Sequence, residues 1–195
     1  MIYSDGAVDG FDVPKSQSSK ISPQASVVSA TWTQSSGLLA VSNRGSISAS
    51  SRKTPWQDLS KQGVNTDSVV DFEVCDGEKG LWMLGADGGV FSFGEIPFYG
   101  AVPGLDLGPV EAVSIAGRAF ATGYWILLAD GRVLPFGRAD EFGGIKLKSN
   151  ARAVSIASTP SGEGYWVVDA AGSVAAFGDA VSLGSLPHGP TPPIC

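Results

Sequence analysis

Short apolar runs separated by turn residues extend through most of the chain. In its middle part, residues 112–115, 123–128 and 133–136 form three such runs, rich in β-branched and aromatic residues. Runs of this length and composition, bounded by Gly, Pro or Asp, predict β-strands. The second run is apolar at consecutive positions, whereas a strand with one face in water would alternate. The pattern therefore predicts an all-β fold whose sheets are covered on both faces.

This pattern recurs along the chain. Residues 80–94, 123–137 and 164–178 share a glycine and a tryptophan at the start, a central glycine turn and a Phe-Gly end. Their tryptophans lie 43 and 41 residues apart, and a fainter copy occupies residues 37–47. A fixed period of this length indicates structural repeats. Four repeats are predicted, at residues 26–68, 69–111, 112–152 and 153–186.

Each repeat is predicted to fold as one blade of a β-propeller. Asp87-Gly88 and Asp130-Gly131 predict tight type I′ hairpins between the second and third strands. A fourth strand is predicted in three repeats, at residues 97–102, 141–145 and 181–186. Four antiparallel strands in about 42 residues are typical of a propeller blade. A β-solenoid, the alternative, would have a shorter period and no hairpins.

The beginning of the chain resembles a partial fifth repeat. Residues 2–11 contain an Asp-Gly turn followed by a valine and a phenylalanine at the repeat spacing. Two arrangements remain open for residues 1–25: an incomplete blade that helps to close a five-bladed ring, or an arm that reaches another protein. Residues 187–195 are predicted to form a tail. We therefore predict a single β-propeller domain over residues 1–195.

A known family carries a similar repeat. The phrase Gly-Tyr-Trp-x-x-x-x-Asp-Gly-x-Val-x-x-Phe-Gly, followed by Phe-Tyr-Gly and an Ala-Val-Ser-Ile-Ala strand, resembles the tandem repeat of actinobacterial cell-surface proteins and of minor tail proteins of actinobacteriophages. The resemblance covers residues 69–186 well and residues 26–68 poorly, because Leu39 replaces the aromatic residue there. It implies a non-enzymatic, β-propeller-like scaffold used for assembly or host attachment.

The resemblance also implies partners and a location. A start at Met1 without an export signal favours a phage tail protein, since virion parts assemble in the host cytoplasm. The expected partners are other tail proteins of the virion. The alternative is a lectin-like, carbohydrate-binding propeller that recognises cell-envelope glycans, with the bacterial cell surface as its location.

Composition excludes several other classes. The formal net charge is −6, and without a basic stripe the chain lacks the electrostatic footprint of a nucleic-acid-binding protein. No apolar stretch approaches the roughly 20 residues that span a bilayer, so no membrane insertion is expected. With two cysteines and one histidine, the chain shows no metal-ligand spacing and no catalytic triad. We predict no catalytic residue, no metal site and no cofactor.

Comparison between repeats selects one candidate contact residue. Tyr99, Phe142 and Leu183 are equivalent and all apolar, so they are predicted to lie in the core. The preceding position varies in polarity and is therefore predicted to face water. Phe98 is the aromatic residue at that position. It is the best candidate for contact with a partner, and the alternative is an ordinary exposed apolar side chain.

A second candidate lies where the chain departs most from the repeat. Arg52, Lys53 and Trp56 occur together there. A tryptophan flanked by basic residues is typical of a docking surface for a protein or an acidic glycan. The alternative is an edge strand of a blade, on which basic residues and proline prevent pairing with another chain. The repeated tryptophans Trp82, Trp125 and Trp166, by contrast, are predicted to be core residues.

Overall fold

The computed structural model describes residues 26–34, 36–50, 68–148 and 151–185. This part of the chain consists of β-strands joined by turns and short 3₁₀ segments, which confirms the all-β prediction. The strands are β1 (Val27–Thr33), β2 (Gly37–Ser42), β3 (Ile47–Ala49), β4 (Val69–Val74), β5 (Gly80–Gly85), β6 (Val90–Gly94), β7 (Ala112–Gly117), β8 (Gly123–Leu128), β9 (Val133–Gly137), β10 (Ala153–Ser158), β11 (Gly164–Asp169) and β12 (Val174–Gly178). They form four antiparallel, three-stranded sheets, one in each predicted repeat.

The apolar middle strand forms the centre of each sheet. In the third sheet, Trp125 on β8 pairs with Ala116 on β7 and with Pro135 on β9. Every residue of β5 and β8 is buried. Successive side chains of a strand point to opposite faces, so a continuous apolar strand fills the space on both sides of its sheet.

The hairpin turns differ from the type I′ prediction. Such a turn needs a positive φ at both central residues, but only the glycine of each Asp-Gly pair has one, with φ 80° at Gly88 and 92° at Gly131. The aspartate instead accepts a hydrogen bond from the backbone two residues on, as in the 2.9 Å contact from Gly89 N to Asp87 Oδ1. This side-chain bond favours a longer turn over the two-residue loop.

The four sheets stack face to face in chain order. Apolar cores lie between the first and second, the second and third, and the third and fourth sheets. One backbone hydrogen bond recurs at each boundary: Val69 N to Asn43 O (2.9 Å), Ala112 N to Ala86 O (2.8 Å) and Ala153 N to Ala129 O (3.0 Å). Each sheet is therefore held to the next in the same register.

The predicted fourth strand is absent from the described residues of all three segments. Residues 97–102 and 141–145, and residues 181–185 of the third segment, form no strand. Gly100 and Gly143 have φ of 131° and 97°, a backbone conformation that interrupts a ladder. Each of these two glycines instead offers its carbonyl to the next sheet: Tyr124 Oη donates to Gly100 O at 2.5 Å, and Tyr165 Oη donates to Gly143 O at 2.6 Å.

The last sheet corrects two core predictions. Leu183 is 77% exposed, whereas the equivalent residues Tyr99 and Phe142 are half-buried against the following sheet. Trp166 is half-buried, although Trp82 and Trp125 are fully buried as predicted. The difference has one cause, since no described sheet follows the fourth one.

Several predictions concern residues outside the described part of the chain. They are the partial blade or arm at residues 1–25, the candidate contacts Arg52, Lys53 and Trp56, and the tail at residues 187–195.

Candidate functional site

Phe98 lies on the surface, as its variable position predicted. Its side chain is 56% exposed. The backbone beneath it is held firmly, because Trp82 Nε1 donates to Pro97 O at 2.9 Å and Tyr99 N donates to the Tyr124 hydroxyl at 3.2 Å. An exposed aromatic on a fixed backbone can contact a partner at low entropic cost.

A second exposed aromatic, Phe120, lies in a loop that is hydrogen-bonded to the segment of Phe98. Phe120 occupies the loop between β7 and β8 and is 84% exposed. The Tyr99 hydroxyl donates to Ala121 O at 3.0 Å, which brings the segment that carries Phe98 against the loop that carries Phe120. We call these two side chains, Phe98 and Phe120, the aromatic surface.

The backbone of this loop is strained. Phe120 and Ala121 have φ of 59° and 52°, in the left-handed region that non-glycine residues seldom adopt. In the second sheet the position equivalent to Phe120 is Gly77, with φ 70°. The loop thus holds a bulky aromatic where the second sheet has glycine and the fourth has Ser161, and retained strain of this kind clusters at functional sites.

A polar cleft of about 190 Å³ adjoins this loop. It lies where the first strands of the second, third and fourth sheets end. Its walls include Glu73, Cys75, Trp82, Arg118 and Thr159. The carboxylate of Glu73 accepts a 3.2 Å hydrogen bond from Gly117 N, so the acid is tied to the neighbouring sheet.

Arg118 supplies the positive charge of the cleft. Its Nη1 donates to Thr122 Oγ1 at 3.1 Å, and its Nη2 forms an ion pair with Glu163. Its Nε is buried and makes no hydrogen bond in the described part of the structure. Outside the cleft lining, hydrogen bonds from Ser161 and Thr159 hold the pKa of Asp179 below its ordinary value. The cleft therefore offers one cation among fixed acceptors, an arrangement suited to a small polar group.

The other features of the described residues concern metal ligands, the cysteine and membrane-spanning helices. They contain no group of three His, Cys, Asp or Glu side chains placed to hold a metal ion. Cys75 is buried. No helix among these residues is long and apolar enough to cross a membrane.

Sequence comparison found Phe98 but missed Phe120 and Arg118. Both missed residues occupy loop positions at which the other repeats carry different residue types, so the repeat gave no consensus there. A signal was nevertheless present, because Phe120 is an aromatic where the equivalent residues are Gly77 and Ser161. A hydrogen bond from the Tyr99 hydroxyl to Ala121 O joins the segments that carry Phe98 and Phe120. Arg52, Lys53 and Trp56 lie outside the described part of the chain.

Comparison with known proteins defines the class of fold. No family model and no curated protein matches the sequence. Among solved structures, the chain is similar to the β-propeller domain of Myceliophteria thermophila Cps50 (Swd1), with a TM-score of 0.51, 12% identity and coverage of 82% of this chain and 55% of that one. It is also similar to Chaetomium thermophilum Raptor, with a TM-score of 0.53, 12% identity and coverage of 84% of this chain and 16% of that one.

These similarities, together with the four stacked antiparallel sheets, confirm the β-propeller fold. The chain spans about half the length of the Cps50 domain and a much smaller share of Raptor.

Proposed function

We propose that the chain is a non-catalytic β-propeller scaffold that binds a partner protein through the aromatic surface, as a structural component of a bacteriophage tail. The observation that carries this proposal is the exposure of Phe98 and Phe120 on a backbone held by hydrogen bonds. Large exposed aromatics on a fixed frame are typical of the residues that dominate protein interfaces. The resemblance of the repeat to minor tail proteins supports the virion as the setting.

A second candidate function is supported by the cleft. Aromatic side chains beside hydrogen-bonding and charged groups are typical of sites that stack on sugar rings. Phe120 adjoins a cleft that contains Arg118, Glu73 and Thr159. A lectin-like propeller that recognises cell-envelope glycans is therefore the alternative.

One pair of experiments separates the two functions. Purified chain is incubated with insoluble host cell wall and, separately, with tail particles assembled without it. The scaffold proposal predicts that the chain binds the particles and not the cell wall. Binding to cell wall that is competed by free sugar, without binding to particles, would favour the lectin and contradict the scaffold.

Matched variants assign the binding to the aromatic surface. Phe98→Ser and Phe120→Ser should each weaken binding to particles by about tenfold or more, the usual effect of truncating an aromatic interface anchor. Leu105→Ser removes an apolar side chain that is 46% exposed elsewhere and should leave binding unchanged. Equal binding by all three variants would contradict the proposed surface.

A further inference from the structure

The fourth sheet exposes a face that its neighbours bury. Three equivalent positions, two on the middle strand and one on the third strand, point toward the following sheet. They are Trp82, Leu84 and Val90 in the second sheet, Trp125, Leu127 and Val133 in the third, and Trp166, Val168 and Val174 in the fourth. The first six are buried in the cores between sheets, but the last three are only half-buried. We call Trp166, Val168, Val174 and the adjacent Ala176 the open face.

The first sheet presents a complementary surface at the other end. Ala30, Leu38 and Ala40 are half-buried on its outer side. Their equivalents in the second sheet, Phe72, Leu81 and Met83, are buried against the first sheet. Two of the three residues are thus smaller than in an internal sheet, which leaves room beside them for an opposing tryptophan such as Trp166. Trp32, which alternates with Ala30 on the same face, is 66% exposed and is larger than its equivalent Val74, so it adds apolar area to this surface.

The recurring backbone bond points to the same pairing. At each internal boundary, the first residue of a sheet donates its N–H to a turn carbonyl of the preceding sheet. By equivalence, Val27 N–H and Ala170 O are the groups that would make the next bond of this series. Within one chain no bond joins these two groups. Each end therefore offers the half of the contact that the other end lacks.

The size of the stack, compared with that of a solved propeller, indicates how such ends can meet. The chain covers 55% of the length of the Cps50 propeller domain, so its four described sheets correspond to somewhat more than half of that domain. Head-to-tail contacts close a ring when the rotation per copy divides a full turn. Two copies together would supply eight sheets, a number that propeller rings commonly contain.

We propose that two copies of this chain associate end to end, with the open face of each packed on the first sheet of the other, to close a ring of twice four sheets. The contact at each joint repeats the core already present three times within the chain. In this ring Val27 N–H of one copy donates to Ala170 O of the other. The proposal is independent of the aromatic surface and of its partner.

Light scattering on the full chain provides the first test. The mass at about 100 μM, a concentration well above the dissociation constant of a stable dimer, should be twice the 20.0 kDa of one chain. A mass of one chain would overturn the proposal and would indicate that another segment, such as residues 2–11, covers an end. An open series of larger masses would overturn the closed ring.

Variants then locate the contact. Val168→Glu places a carboxylate on the open face and should raise the dissociation constant by about 100-fold or more, because a charge is costly to bury in an apolar joint. Leu105→Glu, at an exposed position, is the matched control and should stay dimeric. Ala176→Glu serves instead if Val168→Glu loses the β-sheet signal in circular dichroism. A variant that remains folded and as dimeric as the control would overturn the proposed joint.

Discussion

Replacement of Trp125 by alanine should be among the most destabilising single changes in this fold. Trp125 is fully buried between the third and fourth sheets. Its ring lies 5.2 Å from that of Tyr165 and 6.5 Å from that of Phe142, and its Nε1 donates to Asp140 O at 2.8 Å. Truncation of Trp125 therefore removes a large buried apolar side chain, two ring contacts and a hydrogen bond.

The magnitude follows from these losses. Burying about 200 Å² of apolar surface at about 25 cal/mol per Å² stabilises by about 5 kcal/mol. Partial collapse of the neighbouring side chains recovers some of that free energy, so we expect Trp125→Ala to lower the free energy of unfolding by about 3–5 kcal/mol. Phe98→Ala, the matched control at an exposed aromatic, should cost under about 1 kcal/mol.

Urea denaturation followed by tryptophan fluorescence and circular dichroism measures both values, provided the slopes of the transitions agree. The assignment of core and surface would be refuted if Phe98→Ala cost as much as Trp125→Ala. A cost below about 1 kcal/mol for Trp125→Ala would refute it as well.

Three further predictions test the hydrogen bonds and ionisable groups. Tyr124→Phe should lower the free energy of unfolding by about 2–3 kcal/mol and Tyr99→Phe by about 1 kcal/mol, as measured by urea denaturation. The reason is that the Tyr124 hydroxyl bonds two backbone groups, whereas the Tyr99 hydroxyl bonds one. Equal losses would contradict this account. Burial favours a raised pKa at Asp169, but hydrogen bonds from Ser173 and Ala171 outweigh it and hold that pKa below its ordinary value. The stability that this group contributes is therefore present above about pH 4 and should be lost as pH falls through the lowered folded pKa. Asp169→Asn should flatten that loss in acid denaturation. Burial raises the pKa of Tyr165 to about 12, so its contribution to stability is complete below about pH 10 and is lost as pH rises through the folded pKa. Absorbance at the phenolate wavelength should show an ionisation of Tyr165 well above about pH 10, and Tyr165→Phe should remove it. Ionisation of every tyrosine near about pH 10 would contradict the burial.

The internal sheets could be predicted from sequence because each strand repeats. The apolar strand that contains Trp125 recurs around Trp82 and Trp166, and a strand that is apolar on both faces must be covered on both. This argument fixes the stacking of sheets without any structural information. It also places the two internal tryptophans correctly in the core.

The same reasoning failed where position in the stack matters. Leu183 is apolar at a position where the other repeats have core residues, yet it follows the last sheet, where no described neighbour covers it. The predicted fourth strand failed for a local reason, because Gly100 and Gly143 adopt positive φ and their carbonyls accept bonds from tyrosines of the next sheet. The exposure of Leu183 and the tyrosine bonds to Gly100 and Gly143 both depend on the neighbouring sheet, so the sequence of one repeat does not reveal them.

The candidate site was only partly predictable because it departs from the repeat. Phe98 could be found by comparing equivalent positions. Phe120 occupies a position where the second and fourth sheets have Gly77 and Ser161. Its loop is joined to the segment of Phe98 by the bond from the Tyr99 hydroxyl to Ala121 O. A contact between two different repeats of this kind becomes visible only in the folded chain.

The most direct test of the proposed scaffold function is quantitative mass spectrometry of purified tail particles. Particles released from cells that carry the gene are banded on a density gradient, and peptides of this chain are counted in each fraction. The account predicts that the chain bands with the tail proteins and that Phe98→Ser with Phe120→Ser removes it from that band. A chain found only in the free-protein or cell-envelope fractions, with none in the particle band, would contradict the account.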